Sequence, residues 1–288
     1  MQQREASRHA RLAAEASLFE LPTPRSTGTG NAPPAVHPAA YVHPRAELAN
    51  GVRVGPGVVI GPDVRLAEGV QVGPQAVLQG RLEVGRGTRI WPGAVLGAEP
   101  QDLSFNGAPS GVRIGAEVEV REFATVHRST SEGGLTEVGD RVLLMTSSHV
   151  AHDCRVGPGA VIAGSVLLAG HVHVEPRAFV SGNVVVHQFA RIGRLAMIGG
   201  NSRVNRDVLP FALLVGDSQL KGLNAVGLRR AEISSAARAE LREAFRLLRA
   251  ASTFESVLDR LDDELESEEG RELVAFLRAD SRRGYCGF

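Results

Sequence analysis

Residues 150–204 read VAHDCRVGPGAVIAGSVLLAGHVHVEPRAFVSGNVVVHQFARIGRLAMIGGNSRV. Every sixth residue is aliphatic: Val150, Val156, Ile162, Leu168, Val174, Val180, Val186, Ile192, Ile198 and Val204. The same phase extends back through Leu144 and Val138, through Val126, Val120 and Ile114, and from Leu96 in steps of six to Val42. Of the 28 positions in phase, 25 are Val, Leu or Ile, which excludes chance alternation in a chain rich in Val and Gly. Neither an α-helix, with period 3.6, nor a two-faced strand, with period 2, gives this pattern. A period of six is one short strand plus one tight corner. Three such repeats close a triangular coil of about 18 residues, and coils stack into a solenoid. The sequence thus predicts an all-β solenoid, a parallel β-helix of hexapeptide repeats, followed by a small C-terminal α-helical domain.

Two residues before each aliphatic the side chain is small or aliphatic, as at Val58, Ala76, Ala94, Ala124, Ser148, Ala160 and Ala178. The residue after it is often glycine, as at Gly55, Gly73, Gly85, Gly115, Gly139, Gly157 and Gly193. The expectation is that these glycines supply the positive φ a corner needs.

The domains expected are an N-terminal extension over residues 1–36, a β-helix over 37–210 and a helical domain over 211–288. In the extension, Met1 to Leu21 suits a short helix and Pro22 to Pro34 a linker. The β-helix is interrupted at 97–113 and 128–137, where the phase breaks but the columns on both sides survive; these read as projecting loops, where function tends to sit. Residues 211–232 read as irregular. Ser234 or Ser235 then caps a helix carrying Leu241, Phe245 and Leu248, and two more helices follow at 253–265 and 268–279. A formal net charge of zero argues against a nucleic-acid partner. Two cysteines, Cys154 and Cys286, make no disulfide framework. No apolar run is long enough to span a membrane and no signal peptide is evident, so the expectation is a cytoplasmic protein without stable membrane insertion. The flat outer faces of such a prism suit packing against copies of the same chain, as a symmetric oligomer.

Five histidines stand out: His127, His149, His152, His171 and His187. Adding one coil to His152 lands on Gly170, with His171 next, so the period alone brings His152, Gly170 and His171 together in neighbouring coils. A histidine is a suitable general base near neutral pH. A glycine N–H beside it, with no side chain in the way, suits an oxyanion. Asp153 can orient the imidazole only at a corner, because consecutive side chains of a strand point apart. A metal site is the rival chemistry, but the His149/His152 spacing is no specific ligand signature and Cys154 falls on an inward column; no metal is expected. There is no phosphate-cradling Gly-Lys-Ser/Thr loop and no Gly-x-Ser-x-Gly elbow. A non-catalytic scaffold is the remaining alternative from the residues alone.

These motifs resemble the UDP-N-acetylglucosamine O-acyltransferases, which open lipid A synthesis. The resemblance runs over about residues 37–288. It is carried by Pro100-Gln-Asp102-Leu, Arg121-Glu-Phe-Ala-Thr-Val-His127-Arg128 and His149-Val-Ala-His152-Asp153-Cys154. Leu168-Ala-Gly170-His171, Val186-His187-Gln188-Phe189, Gly222-Leu-Asn-x-x-Gly-Leu-Arg-Arg230 and Ser281-Arg-Arg-Gly284 complete it. It implies a left-handed β-helix, a homotrimer with sites between subunits, and no cofactor, the donor being an acyl carrier protein thioester. It implies His152 as base on the 3-hydroxyl of UDP-N-acetylglucosamine, Asp153 as its support and the Gly170 N–H as oxyanion donor. Asp102, His127, His149, His171, His187, Gln188 and Arg230 are the expected pocket residues, and Gly200 the position that sets acyl depth. Arg191, Arg194, Arg203, Arg206, Arg229 and Arg230 are expected as a patch for the acidic carrier. Two departures are visible: Ser104 stands where the family usually has Lys, and Gly216-Asp-Ser218-Gln where it often has Gly-Asn before His or Pro. Both bear on sugar-nucleotide binding and leave a 3-amino UDP-sugar acceptor open. Other rivals are the pathway's N-acyltransferase, which carries a separate uridine-binding domain, and a metal-dependent lyase of the carbonic anhydrase type.

Overall fold

The computed structural model describes residues 32–288; the helix and most of the linker expected before Pro34 lie outside the described residues. Short strands, most of two residues, wind into three parallel sheets, the faces of a prism. The first face stacks from Ala35–Val36 and Arg53–Val54 up to Met197–Ile198 and Ala212–Val215. The second runs from Tyr41–Val42 to Arg203–Val204, and the third from Glu47–Leu48 to Arg191–Ile192. The coils therefore begin at Ala35, inside the expected 1–36 extension, because Ala35 and Val36 pair in register with Arg53 and Val54.

The in-phase aliphatics form the core. Ile60, Leu78, Leu96, Ile162, Leu168 and Ile198 are fully buried. Paired residues on neighbouring coils stand 18 positions apart in regular coils (Glu47 and Arg65), 30 across the first interruption (Arg89 and Glu119) and 24 across the second (Thr125 and His149). Both insertions are multiples of six, which is why the phase survives them. The strand Gly111–Ile114 belongs to the third face, so the first projecting loop covers 99–110 and not 97–113. Likewise Leu135–Val138 is a strand, and the second loop is 128–134.

The glycines do a different job from the one expected. The positive φ falls three residues after the aliphatic, at Gly57, Gly69, Gly87, Gly93 and Gly159, and also at Gln75, Asp153, His171 and Phe189. Glycine directly after the aliphatic answers to a close approach between coils. A Cβ on Gly85 would sit 2.5 Å from the Gly115 carbonyl, and one on Gly157 2.6 Å from the Pro176 nitrogen.

Residues 211–232 are ordered, contrary to the expected irregular stretch. Ala212–Val215 adds to the first face in parallel and turns back into Gln219–Leu223, followed by a helix at Ala225–Arg230, so the sheet runs past the expected boundary at 210. Helices follow at Ser235–Ala250, capped by the Ser234 hydroxyl, at Leu258–Glu264 and at Glu268–Arg278. The C-terminal tail returns to the solenoid's end. Fully buried Asp207 pairs with Arg191 at 2.7 Å, and its backbone bonds Gly284 and Cys286.

Gly85→Ala is expected to cost about 2 kcal/mol through the forced coil separation. Gly287→Ala, with nothing within 4 Å of the new Cβ, should change stability by less than about 0.5 kcal/mol. Denaturant unfolding of both variants checks the contrast.

Candidate active site

The corner after the second-face strand His149–Val150 carries the site. Asp153 adopts φ 59°, which swings its carboxylate back beside the preceding side chain. The His152 Nδ1–H donates to Asp153 Oδ2 at 2.9 Å. Asp153 also accepts from the Ser129 hydroxyl, from the Thr130 N–H at 3.1 Å and from the Thr130 hydroxyl at 2.7 Å. Its own N–H donates to Thr136 Oγ1 at 2.8 Å. Burial pushes the Asp153 carboxyl up, but the hydrogen bonds from Ser129, His152 and Thr130 outweigh it and hold it at about 2. An anion at Nδ1 fixes the tautomer and leaves the His152 Nε2 lone pair free. That nitrogen lies 3.7 Å from Asp102 Oδ2, on the first projecting loop.

Asp102 is held by the Ser104 N–H at 2.8 Å and the Ser104 hydroxyl at 2.6 Å, and those bonds keep its carboxyl below the usual range. The serine that departs from the family pattern thus caps the loop carboxylate.

One coil on, Gly170 lies directly against the His152 ring; any Cβ there would overlap it. Among the described residues the Gly170 N–H meets no acceptor. The His171 N–H donates to the His152 carbonyl at 3.0 Å. The two rings meet edge to face at 5.3 Å, and His171 Nε2 stands 3.7 Å from Asp153 Oδ2. The period therefore placed His152, Gly170 and His171 correctly. In the coils below, the His149 ring meets that of His127 at 4.9 Å, and its Nδ1 bonds the Thr125 hydroxyl at 2.7 Å. Burial, then the neighbouring histidines, lowers His149 to about 4; burial, then His152, lowers His127. His127 Nδ1 is buried with no partner among the described residues.

Gln188 continues the corner column of His152 and Gly170, and both it and His187 are exposed. Gly200 sits on the corner between the first and second faces, and Arg230 is exposed at a helix end. Neither joins the His152 cluster within one chain. The arginine patch is only partly available. Arg191 is spent on Asp207, Arg194 on Glu272 at 2.6 Å and Arg203 on Asp217 at 2.6 Å, while Arg206, Arg229 and Arg230 are exposed.

Ser129 and Thr130 escaped the sequence reading because they lie in an interruption, where partners are 23 or 24 rather than 18 apart; Thr136 follows it at the ordinary coil spacing and was simply not singled out. The signal for Ser129 and Thr130 was the interruption itself, one coil below His152. Cys154 is core: burial raises its thiol to about 12. Donor atoms of His152, Asp153 and His171 lie within 4.8 Å of one another, close enough for a metal. Asp153, however, already receives four hydrogen bonds, so the group fits a proton-handling network better than a metal cradle. Two shallow grooves, about 450 and 780 Å³, lie along the third face, away from His152. Their walls mix apolar residues such as Leu66 and Val156 with charged side chains, among them Arg113 paired with Glu137 at 3.0 Å, and His173 and Glu175 also line the first.

A hexapeptide prism with an oriented histidine at a corner defines a hexapeptide-repeat acyltransferase. The chain is 34% identical to the UDP-N-acetylglucosamine acyltransferase of Bacteroides fragilis, with a TM-score of 0.82, over 87% of this chain and 99% of that one. It belongs to the UDP-N-acetylglucosamine acyltransferase family, whose β-helix winds left-handed. The Campylobacter jejuni enzyme is 30% identical with a TM-score of 0.83, over 88% and 99%. The family profile described as UDP N-acetylglucosamine O-acyltransferase, domain 2, matches residues 207–286. The acyl-[acyl-carrier-protein]–UDP-N-acetylglucosamine O-acyltransferase of Caulobacter vibrioides is 40% identical over 89 residues, 29% of this chain. That match spans only 33% of the curated relative's length. Among the described residues no helix is long and apolar enough to cross a membrane.

An unfolded histidine protonates near pH 6.5, whereas folded His149 resists until about 4. Its contribution is therefore complete above 6.5 and lost as the pH falls from 6.5 toward 4, at most roughly 3 kcal/mol. Thermal midpoints should fall through that window, and the fall should flatten in His149→Gln.

Proposed function

We propose that the chain transfers an acyl or 3-hydroxyacyl group from acyl carrier protein to the 3-hydroxyl of UDP-N-acetylglucosamine, the first step of lipid A synthesis. The observation that carries this reading is His152, with Nδ1 committed to Asp153 at 2.9 Å and Nε2 free beside the Gly170 N–H. His152 Nε2 takes the proton of the acceptor hydroxyl as its oxygen attacks the thioester carbonyl. The Asp153 carboxylate stabilises the resulting imidazolium. The Gly170 N–H donates to the tetrahedral oxyanion. As the intermediate collapses, the C–O bond is kept, the C–S bond breaks, and the imidazolium returns its proton to the carrier's thiolate. No cofactor and no metal enters the route. His149 and His127, held neutral, suit polar contacts in the acceptor pocket, with His187, Gln188 and Arg230. A soluble carrier and a nucleotide sugar place the reaction in the cytoplasm.

The outer side chains support a homotrimer. The third face is a ladder of paired charges: Arg65 with Glu47 at 3.1 Å, Arg113 with Glu83 at 3.4 Å and with Glu137 at 3.0 Å, and Arg155 with Glu137 at 3.5 Å. Such a face is at ease in water. The second face points Tyr41, Val59, Leu167 and Val185 outward, and the upper first face adds Phe179; all five are exposed. An apolar second face, continued by the upper first face, beside a charged third face is what a prism needs to close a three-fold ring. The His152 corner, between the second and third faces, then lies on the rim of the interface, where a second copy completes the pocket.

His152→Ala should lower acyl transfer at least about 100-fold. The assay uses a panel of acyl and 3-hydroxyacyl carrier proteins with UDP-N-acetylglucosamine and its 3-amino analogue. Transfer to the amine alone would reassign the acceptor; transfer that survives His152→Ala would remove the base. Leu167→Arg should shift the oligomer toward monomer in light scattering and lower activity in parallel.

A further inference from the structure

At the His152 corner, three left-handed residues stand one above another in successive coils: Asp153 at φ 59°, His171 at 60° and Phe189 at 66°. Equivalent corners carry Gly159 or Asn201, but also Phe123 and Phe211, so the conformation by itself does not set Phe189 apart. Its left-handed φ carries backbone strain of order 1 kcal/mol that glycine would avoid. Its ring stacks on the His171 imidazole, with centroids 4.6 Å apart and planes 18° from parallel. The Arg282 guanidinium lies 4.8 Å from the same ring's centroid. Arg282 comes from the C-terminal tail, which the Arg283 side chain anchors to the Asn205 carbonyl at 3.0 Å and Gly284 to the Asp207 N–H at 2.8 Å. The far end of the chain thus reaches the catalytic corner through one aromatic ring.

We propose that Phe189 and Arg282 are positioning residues for His171: Phe189 fixes the plane of the imidazole beside His152 and Asp153, and Arg282, over the same ring, clamps Phe189. What His171 then does in acyl transfer rests on the function proposed above; the positioning does not. The charged and titratable groups facing His171 are Asp153, Asp102, His152 and Arg282. Burial lowers the His171 pKa most. Asp153 and Asp102 oppose that, while His152 and Arg282 add to it.

The test is NMR of the histidine-labelled full-length protein, with His171 assigned through His171→Gln, beside steady-state acyl transfer. Arg282→Gln should move the His171 titration midpoint upward, and Arg282→Lys should leave it near that of the unaltered chain. Phe189→Leu should abolish the ring-current shift on the His171 ring protons and lower kcat/KM about tenfold; Phe189→Tyr should restore both. Unchanged His171 resonances and midpoint in Phe189→Leu and Arg282→Gln would overturn the positioning, as would unaltered kcat/KM in Phe189→Leu. If the unaltered chain transfers no acyl group from any carrier, the function is at fault, and the resonances still decide the positioning.

Discussion

The structure depends on one constraint: each coil must return its strand in hydrogen-bonding register above the last. Register at 18 residues turns sequence into columns, and a column is a fixed stack of side chains about one strand spacing apart. His152, Gly170 and Gln188 are such a column; Asp153, His171 and Phe189 are the one beside it. The insertions obey the same constraint by leaving the coil and returning to it, so that the next strand pairs in register above the last. Both happen to be multiples of six, so the sequence phase is kept as well, and they supply what the regular coil cannot. One brings Asp102 over His152 Nε2, and the other brings Ser129 and Thr130 under Asp153.

Corner geometry converts that scaffold into chemistry. In an extended strand His152 and Asp153 would face opposite sides. The left-handed turn at Asp153 puts them in contact at 2.9 Å. Glycine appears in two distinct roles. At Gly57 or Gly159 it relieves a left-handed φ, while at Gly85, Gly157 and Gly170 it removes a side chain from a place where another atom already sits. At Gly170 that absence leaves a bare N–H beside the imidazole.

The three faces carry different outer residues on an identical inner frame. The charged ladder of the third face is exposed, and each pair contributes little to stability on its own. Its effect is on which faces remain available for association. At the top of the prism, the hairpin, the helices and the tail cover the last coil. The buried Arg191–Asp207 pair and the Asp207 backbone bonds tie the tail down. That closure brings Arg282 to the active corner.

The period of six, the inward columns, the stacking of Gly170 and His171 on His152 and the capped helix at Ser235 could all be read in the sequence, because they follow from spacing along the chain. The job of the glycines after each aliphatic could not, since a clash with Pro176 or Gly115 exists only once coils are stacked. Neither could the order within 211–232, whose strands owe their form to pairing with Met197–Ile198 rather than to any local pattern. The partners of Asp153 and the tail's contact with Phe189 were equally hidden. Ser129 and Thr130 reach Asp153 across an interruption of the repeat, and Arg282 reaches Phe189 from a tail outside it, so no period connects them. Sequence alone determined the frame, because the frame is periodic. Only tertiary structure decided the tautomer of His152, which rests on the left-handed corner at Asp153 and on the hydrogen bonds that hold that carboxylate in place.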